Sequence, residues 1–560
     1  MAQLDTSLHA RRSRVVAAGF ALLVAGLVAA QVVLVGDWRV DDSYITFAFS
    51  KNLALGRGAI YSHDVRVEGY TNFLWMVLNA VPIGLCPDAD PIWAARVLAF
   101  VFLAVLLWSV YELGKTLLPT SWAILPVVLL ACWTDLSRAA LSGLETVPHA
   151  ALLSVGVLFY SREAVSQRRD SLWWFMLAAL MRISSITHLA FVLSFEAAWC
   201  CTPRGMSVRS VARWALPPLL VFGAYFLWRW SYYGLPLPTT YYAKNLAAAR
   251  EPLRGLQYLT DAVSDLGGYW VALPVTLAVV RHPDVRKGFL AALIAAEVAT
   301  VVHVKGDWMP FNRFWIPIGG PLAVLFLVGL RELWVWAASR AKLPRRALEA
   351  GTAVVYMAVI LHVDSHVVFT DEEAAKLRRA AREKTHTMRN LLANWRFLAA
   401  ITRQPGDLLV TDYGGVVGYY TDASVIEMWG LCNREIALRG NIEGINPIFG
   451  KTCVACYAEF EPDYLHTKTP LVRDANAFAN QTQVVRAVFQ GPALDRVLDF
   501  ERNYVTGRVL NRKGKRALFF LERRRPGRIL ATRRHSNGVY VDYPFEQQRQ
   551  VDHSLNSEAR

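Results

Sequence analysis

The stretch "VDDSYITFAFSKNLALGRGAIYSHDVRVEGYTN", residues 40–72, decides how the chain is read. It follows the apolar run Val15–Gly36 and opens on two adjacent acids, Asp41 and Asp42. Bases, glycines and a dense set of aromatics come behind them. A segment that leaves a bilayer and at once presents paired carboxylates raises the questions of fold and chemistry together.

The run before it follows Arg11, Arg12 and Arg14, is too long for a signal-peptide core and lacks an A-x-A-like cleavage site, so a retained first span is expected. At 560 residues and 54% hydrophobic, with mean hydropathy +0.27, the chain is too apolar for a water-soluble protein. Apolar runs of bilayer-spanning length recur through the first two thirds. The fold class expected is a polytopic α-helical membrane protein with a C-terminal soluble α/β domain. Spans are expected near 15–36, 92–112, 121–136, 145–160, 171–182, 184–200, 211–231, 266–281, 287–303, 313–337 and 347–369, about eleven in all. The net charge of +15 sits largely in short loops between these runs, where the positive-inside rule puts it, so the basic excess does not imply nucleic acid. The 19 Trp and 21 Tyr fit interfacial belts or sugar-stacking surfaces.

The basic loops Arg11–Arg14, Lys115, Arg162–Arg169, Arg204–Arg213, Arg281–Lys287 and Arg331–Arg346 fall on one side only if residues 72–85 do not cross. That segment, "NFLWMVLNAVPIGL", is short for a span and is expected to be interfacial or re-entrant; were it to span, Arg162–Arg169 would lie outside. The outer face then receives 37–91, 137–144, 232–265, 303–312 and everything after 370. Two domains are expected: 1–370 in the membrane, with the outer loop 37–91, and 371–560 as the α/β domain. The tail carries strand-like runs, "DLLVTDYGGVVGYY" and "ALFFLERR", and the helical "DEEAAKLRRAAREKTHTMRNLLANWRFL". Cys86, Cys132, Cys200 and Cys201 read as small apolar packing residues. Cys432, Cys453 and Cys456 lie in the tail, where one disulfide is expected; Cys453–Cys456 and Cys432–Cys453 both remain open. "CVAC" lacks a second pair at zinc-finger spacing, so no metal is assigned to it.

Asp41 and Asp42 begin a helical run that stops at Gly56. Acids in a first turn are favoured by the helix dipole, which is the structural reading. Adjacent carboxylates at a low-dielectric boundary also separate in pKa and can take a proton from a hydroxyl nucleophile, which is the catalytic one. Lys51, Arg57 and Arg66 supply cations for a phosphate, while Glu68, Tyr70 and Asn72 add polar groups beside aromatics. "LSGLET" carries Glu145, "LMRISSITHL" carries Arg182 and His188, "YYGLPLPTTYYAKN" carries Lys244, and "VKGDWMPFNRFWIP" carries Asp307 and Arg313 around Trp308. Each has a structural alternative: Arg182 snorkels, Lys244 sits in a belt, and Asp307 and Arg313 pair with each other.

The 40–72 block with the following "FLW" resembles the first outer loop of GT-C glycosyltransferases, in particular the group of terminal arabinofuranosyltransferases of mycobacterial cell-wall assembly and their Gram-negative relatives. "GLET", "YYGLPLPTTYYAKN", "KGDWMPFNRFWIP" and "DYGGVVGYYTDASVIEMWGL" follow in that family's order, covering most of residues 15–450. The resemblance implies an integral membrane transferase of the bacterial inner membrane, working at its outer face on a polyprenyl-phosphate sugar, with a glycan or glycoprotein as acceptor. It implies Asp41 as catalytic acid with Asp42 as its neighbour; a divalent cation beside the pair is a separate expectation from the two adjacent carboxylates. Where "TRPEG" is expected, this chain has "MRISS" at 181–185, which keeps Arg182 and leaves the sugar open. No P-loop or dinucleotide fingerprint is present, and no internal repeat points to a transporter. The expected activity is transfer of a pentose, arabinofuranose, with a non-catalytic scaffold of envelope or flagellar assembly as the alternative.

Overall fold

The computed structural model describes residues 2–341 except 63–65, 164–169, 201–206, 251–252, 266–268, 308 and 310–311. Beyond that it describes 407–421, 423–440, 453, 456, 459–466, 500–510, 517–524, 533–534 and 540–543. The expected span at 347–369, the helical stretch 371–398 and the domain boundary at 370/371 lie outside the described residues.

The helices are α1 (Ala2–Val35), α2 (Asp41–Ala54), α3 (Phe73–Leu85), α4 (Pro91–Leu117), α5 (Leu125–Cys132), α6 (Thr134–Leu141), α7 (Thr146–Glu163) and α8 (Ser171–Met181). They continue as α9 (Ile186–Cys200), α10 (Val208–Tyr233), α11 (Thr239–Arg250), α12 (Arg254–Asp265), α13 (Tyr269–Val280), α14 (Val285–His303) and α15 (Ile316–Arg340). Short 3-10 turns, Ile183–Ser185 and Arg313–Trp315, precede α9 and α15.

Four helical stretches are long and apolar enough to cross a membrane: Ala18–Val35, Pro91–Leu117, Val208–Tyr233 and Arg313–Arg340. The bent pair α6–α7, with 117° between its halves, makes a fifth if taken as one span. Among the described residues, four or five of the expected eleven spans are matched by helices of that length. Crossing about 30 Å of hydrocarbon takes about 20 helical residues, and several expected spans are broken below that length. The 121–136 run is divided at Trp133, whose extended backbone (φ −75°, ψ 106°) ends α5. The 171–182 run stops after 11 residues at Arg182 (φ −152°, ψ 117°), and α9 has 15. The 266–281 run forms the 12-residue α13 with Pro274 inside it. At 13 residues α3 is too short to span upright.

The chain forms two compact units: Met1–Arg39 with Ile92–Tyr225 and Pro252–Lys384, and Val40–Pro91 with Phe226–Glu251 and Thr385–Arg560. In the second unit the 40–91 loop groups with residues of the C-terminal part. In the first unit α15 runs against α5, α7, α13 and α14 around a core that includes Leu106, Val110, Leu153, Phe289 and Leu325. Gly329 lets α15 approach α13 so closely that a Cβ there would collide with the Pro274 carbonyl.

In the second unit α2 packs on α3 and on a short helix, Gly414–Tyr420, and α11 packs on the helix Arg434–Arg439. The strands are β1 (Leu408–Thr411), β2 (Ser424–Glu427), β3 (Tyr464–His466), β4 (Tyr504–Leu510), β5 (Ala517–Arg523), β6 (Arg533–Arg534) and β7 (Tyr540–Asp542). They form one sheet in the order β2-β1-β3-β5-β4-β7-β6. β1 is parallel to both β2 and β3, and the remaining pairs are antiparallel. Of the two open pairings, the structure has Cys453–Cys456, with Cα atoms 5.1 Å apart, and Cys432 is a buried free thiol.

Candidate functional site

Val40 caps α2 with extended backbone and no side-chain bond, which puts Asp41 and Asp42 in the first turn, where the dipole favours them. Asp41 does more than start its own helix. The Gly415 N–H donates to its Oδ2 at 3.1 Å and the Val416 N–H to its Oδ1 at 2.8 Å. These are amides at the start of the Gly414–Tyr420 helix, donors that have no partner within that helix. The Asp41 carboxylate is thus a two-oxygen cap on a helix far along the chain.

The sequence "GGVVG" at 414–418 allows this approach. A Cβ on Gly415 would collide with the Asp41 main-chain oxygen, one on Gly418 with the Tyr61 ring, and one on Gly414 would press on the Glu427 side chain. The Tyr61 hydroxyl donates to the Gly414 carbonyl. Glu427, at the end of β2, is buried, and its oxygens accept from the Trp429 and Leu431 amides at 2.8 and 2.7 Å. Burial pushes the Glu427 carboxyl up to about 8, with the amide bonds opposing and the Asp42 charge adding. Burial, then the neighbouring acids Glu427, Asp42 and Asp41, raises the Cys432 thiol well above its usual value. Burial likewise raises the Tyr61 phenol.

Glu427 is the residue that the sequence reading passed over. It lies inside the 412–431 motif, but "SVIE" reads locally as a strand end, and no spacing ties residue 427 to residue 42. The three glycines three and four apart were the available signal, since each marks a close backbone approach.

Other candidates of the 40–72 block turn out to hold the fold. Glu68 is paired through both oxygens with the fully buried Arg229, Nε to Oε1 at 3.0 Å and Nη2 to Oε2. Burial raises the Glu68 carboxyl even against this guanidinium. Arg229 also donates to the Pro236 carbonyl at 2.7 Å, and the Thr239 hydroxyl bonds the carbonyls of Glu68 and Leu431. Tyr70 is buried, its hydroxyl 3.0 Å from that of Tyr233. Asn72 exchanges hydrogen bonds with the Thr46 hydroxyl at 3.1–3.2 Å. Arg66 lies over the Tyr232 ring, and Lys244 is exposed on α11.

Lys51 and Arg57, expected to supply cations for a phosphate, lie toward and beyond the end of α2 opposite the acid pair. The 40–55 stretch is one helix, so ten residues put Lys51 about 15 Å along the axis from Asp41. The Lys51 ammonium donates to the Tyr419 carbonyl at 2.9 Å.

The remaining candidates belong to the other unit and group together there. Arg182 Nη1 bonds Glu145 Oε1 at 3.0 Å, and Arg313 Nε bonds Asp307 Oδ2 at 2.7 Å. Both guanidiniums lie over the Phe314 ring, at 4.8 and 5.3 Å from its centroid. Ser185 bonds His149 and, at 3.2 Å, His188 Nδ1, while His188 Nε2 lies 3.1 Å from Glu297 Oε2. Trp308 lies outside the described residues. Among those described, no three His, Cys, Asp or Glu side chains are grouped to hold a metal ion.

No protein-family model and no curated protein matches the chain. Among solved structures it is similar to ArnT from Cupriavidus metallidurans bound to undecaprenyl phosphate, at 10% identity and TM-score 0.52, over 90% of this chain and 97% of that one. It is also similar, with TM-score 0.49 and 11% identity, to the oligosaccharyltransferase AglB from Archaeoglobus fulgidus, over 91% of this chain and 75% of that one. The ArnT likeness runs nearly end to end in both chains and shows the fold. The chain is a polytopic helical membrane protein that shares the fold of that structure and carries a small C-terminal sheet domain.

Proposed function

We propose that this chain is a membrane glycosyltransferase that takes its sugar from a polyprenyl-phosphate carrier. The observation that carries the reading is the fold shared end to end with ArnT, whose structure holds undecaprenyl phosphate. In the reaction an acceptor hydroxyl attacks the anomeric carbon, the bond from that carbon to the phosphate oxygen breaks, and the carrier leaves as a phosphate anion. The hydroxyl proton passes to a carboxylate, and Asp41 is the group proposed. An amide bond on each oxygen orients the Asp41 carboxylate. The proposed sugar is arabinofuranose, the acceptor an envelope glycan or glycoprotein, and the place the outer face of the bacterial inner membrane; the support is the order of motifs from residue 40 to residue 431.

One observation favours a second reading, a non-catalytic scaffold: both Asp41 oxygens already serve as a helix cap. The two part company in a transfer assay. Purified full-length protein is given synthetic polyprenyl-phosphate arabinofuranose, or the corresponding hexose carriers, with envelope glycan as acceptor. Mass spectrometry that finds the acceptor heavier by one pentose supports the first reading; no transfer from any carrier supports the scaffold.

A further inference from the structure

Next to the Glu145–Arg182 pair the first unit holds four buried polar groups that the proposed chemistry does not use. They are His149 on α7, Ser185 in the 3-10 turn before α9, His188 on α9 and Glu297 on α14. We propose that these four position Arg182 as a contact for the phosphate of the sugar carrier. The identity of the carrier rests on the glycosyl-transfer reading; the positioning of Arg182 does not.

The four groups form one chain. His188 Nε2 lies 3.1 Å from Glu297 Oε2, and a carboxylate at that distance selects the tautomer with its proton on that nitrogen. In a neutral ring Nδ1 is then the acceptor, and it takes the Ser185 hydroxyl at 3.2 Å. A hydroxyl that donates there turns a lone pair to its other partner, His149 Nε2. One proton arrangement thus serves the contacts in order, from α7 through the turn to α14.

Such a chain is costly inside an apolar bundle unless something uses it. What it fixes is the turn. Arg182 ends α8 with extended backbone (φ −152°, ψ 117°), and the Ser185 amide donates to the Arg182 carbonyl at 2.9 Å. Arg182 and Ser185 are therefore the two ends of one turn. On the facing segment the His149 amide donates to the Glu145 carbonyl at 2.8 Å, so the partners of those ends are also one helical turn apart. Glu145–Arg182 and His149–Ser185 make two rungs between the same two segments. Without the second rung the turn can pivot about the first. His188 and Glu297 tie it to α14 as well.

Arg182 is where this frame meets an accessible surface. Its side chain keeps 16% exposure, whereas Ser185, His149 and His188 are buried. Glu145 Oε1 holds Nη1 at 3.0 Å, and the guanidinium lies over the Phe314 ring, 4.8 Å from its centroid. Arg313 lies over the same ring at 5.3 Å. Two guanidiniums brought to one ring repel each other, and an anion relieves that repulsion. A phosphate can meet the planar donors of a guanidinium two at a time. That geometry requires a fixed plane, and a plane fixed in advance costs the ligand little ordering.

The test uses full-length protein in nanodiscs and measures affinity for polyprenyl phosphate, with the neutral polyprenol as control. Arg182→Gln is expected to weaken polyprenyl phosphate binding about tenfold, the scale of one charge-assisted hydrogen bond, and to leave polyprenol unchanged. Ser185→Ala is expected to do the same, and Ser185→Thr, which keeps the hydroxyl, to retain affinity. The double variant decides the matter. A residue that acts through Arg182 adds nothing once Arg182 is gone, so Arg182→Gln with Ser185→Ala should bind like Arg182→Gln alone. In transfer these variants should raise KM for the carrier more than they lower kcat. Where Ser185→Ala melts too low to be assayed, His149→Leu against His149→Gln makes the same comparison, since Gln returns a donor near the imidazole Nε2. Additive losses in the double variant, equal loss of polyprenol, or wild-type affinity in Arg182→Gln overturns the proposal. A protein that transfers no sugar from any carrier yet shows the coupling supports the positioning of Arg182, and the transfer reading falls. One that transfers sugar with additive losses keeps that reading and loses the positioning.

Discussion

Gly415 donates its amide to Asp41 and at the same time lies against the Asp41 backbone with no room for a side chain between them. The two residues come from the 40–91 loop and the C-terminal part, so the start of α2 and the start of the Gly414–Tyr420 helix are built as one object. Gly415→Ala is therefore expected to force the two apart. Overpacking of this kind costs about 1–3 kcal/mol, and the same shift removes two hydrogen bonds from Asp41. Thermal unfolding in detergent together with the transfer assay checks it; a variant with unchanged melting temperature and turnover would show that the contact yields freely.

Glu68 and Arg229 make the second test. The pair is buried and doubly hydrogen-bonded, and it ties the 66–72 segment to the turn after α10. Removing one member leaves the other charge uncompensated, a loss of about 3–5 kcal/mol for a buried pair. Glu68→Ala is expected to lower the melting temperature sharply, and whatever folded protein remains should keep its KM for the sugar carrier. A raised KM at normal stability would return Glu68 to the substrate.

What the sequence made legible was the part encoded in local composition. The apolar runs gave the membrane class, and Asp41–Asp42 before a helical pattern gave the start of α2. The outcome at Glu68, Tyr70 and Asn72 was not legible, because their partners, Arg229, Tyr233 and Thr46, are set by tertiary contact and carry no fixed spacing. Helix length was not legible for a related reason. Hydropathy sees apolar length, while breaks at Trp133 and Arg182 are backbone events that shorten helices without lowering hydrophobicity.

Glu427 gives a pH dependence with a definite direction. Its carboxyl is raised from 4.5 to about 8 in the folded chain, chiefly by burial. Below pH 4.5 folded and unfolded chains both hold the proton. Between about 4.5 and about 8 the folded chain keeps it and the unfolded chain releases it, so the folded state binds more protons and stability falls as pH rises. The expected decline across that window is a few kcal/mol. Glu427→Gln should abolish the slope while lowering stability at acidic pH, because an amide offers one acceptor oxygen to two N–H groups. Melting temperatures of both proteins from pH 5 to 9 decide it, and parallel curves would remove Glu427 as the titrating group.

The acid pair itself needs a different experiment from the one its sequence suggests. For a simple helix start, Asn caps about as well as Asp, and Asp41→Asn would separate catalysis from capping. Asp41, however, accepts a backbone N–H on each oxygen, so an amide would turn an NH₂ toward one of those donors. Asp41→Asn is thus expected to lose both stability and activity whether or not Asp41 takes the proton. Asp41→Glu is no cleaner, since one methylene moves both bonds. The useful readout is the pH profile of the residual rate. Loss of a general base typically costs about 10²–10⁴ in rate, and with the base gone the acidic limb of the kcat/KM profile that reports its ionisation must vanish. A purely structural Asp41 would leave that limb in place while scaling the whole curve down. Asp42→Asn, measured beside it, is expected to keep the limb and shift it, because it removes a charge adjacent to Asp41. If the limb disappears in Asp42→Asn and survives in Asp41→Asn, the roles are exchanged: Asp42 is the base, and Asp41 is the cap that holds it in place.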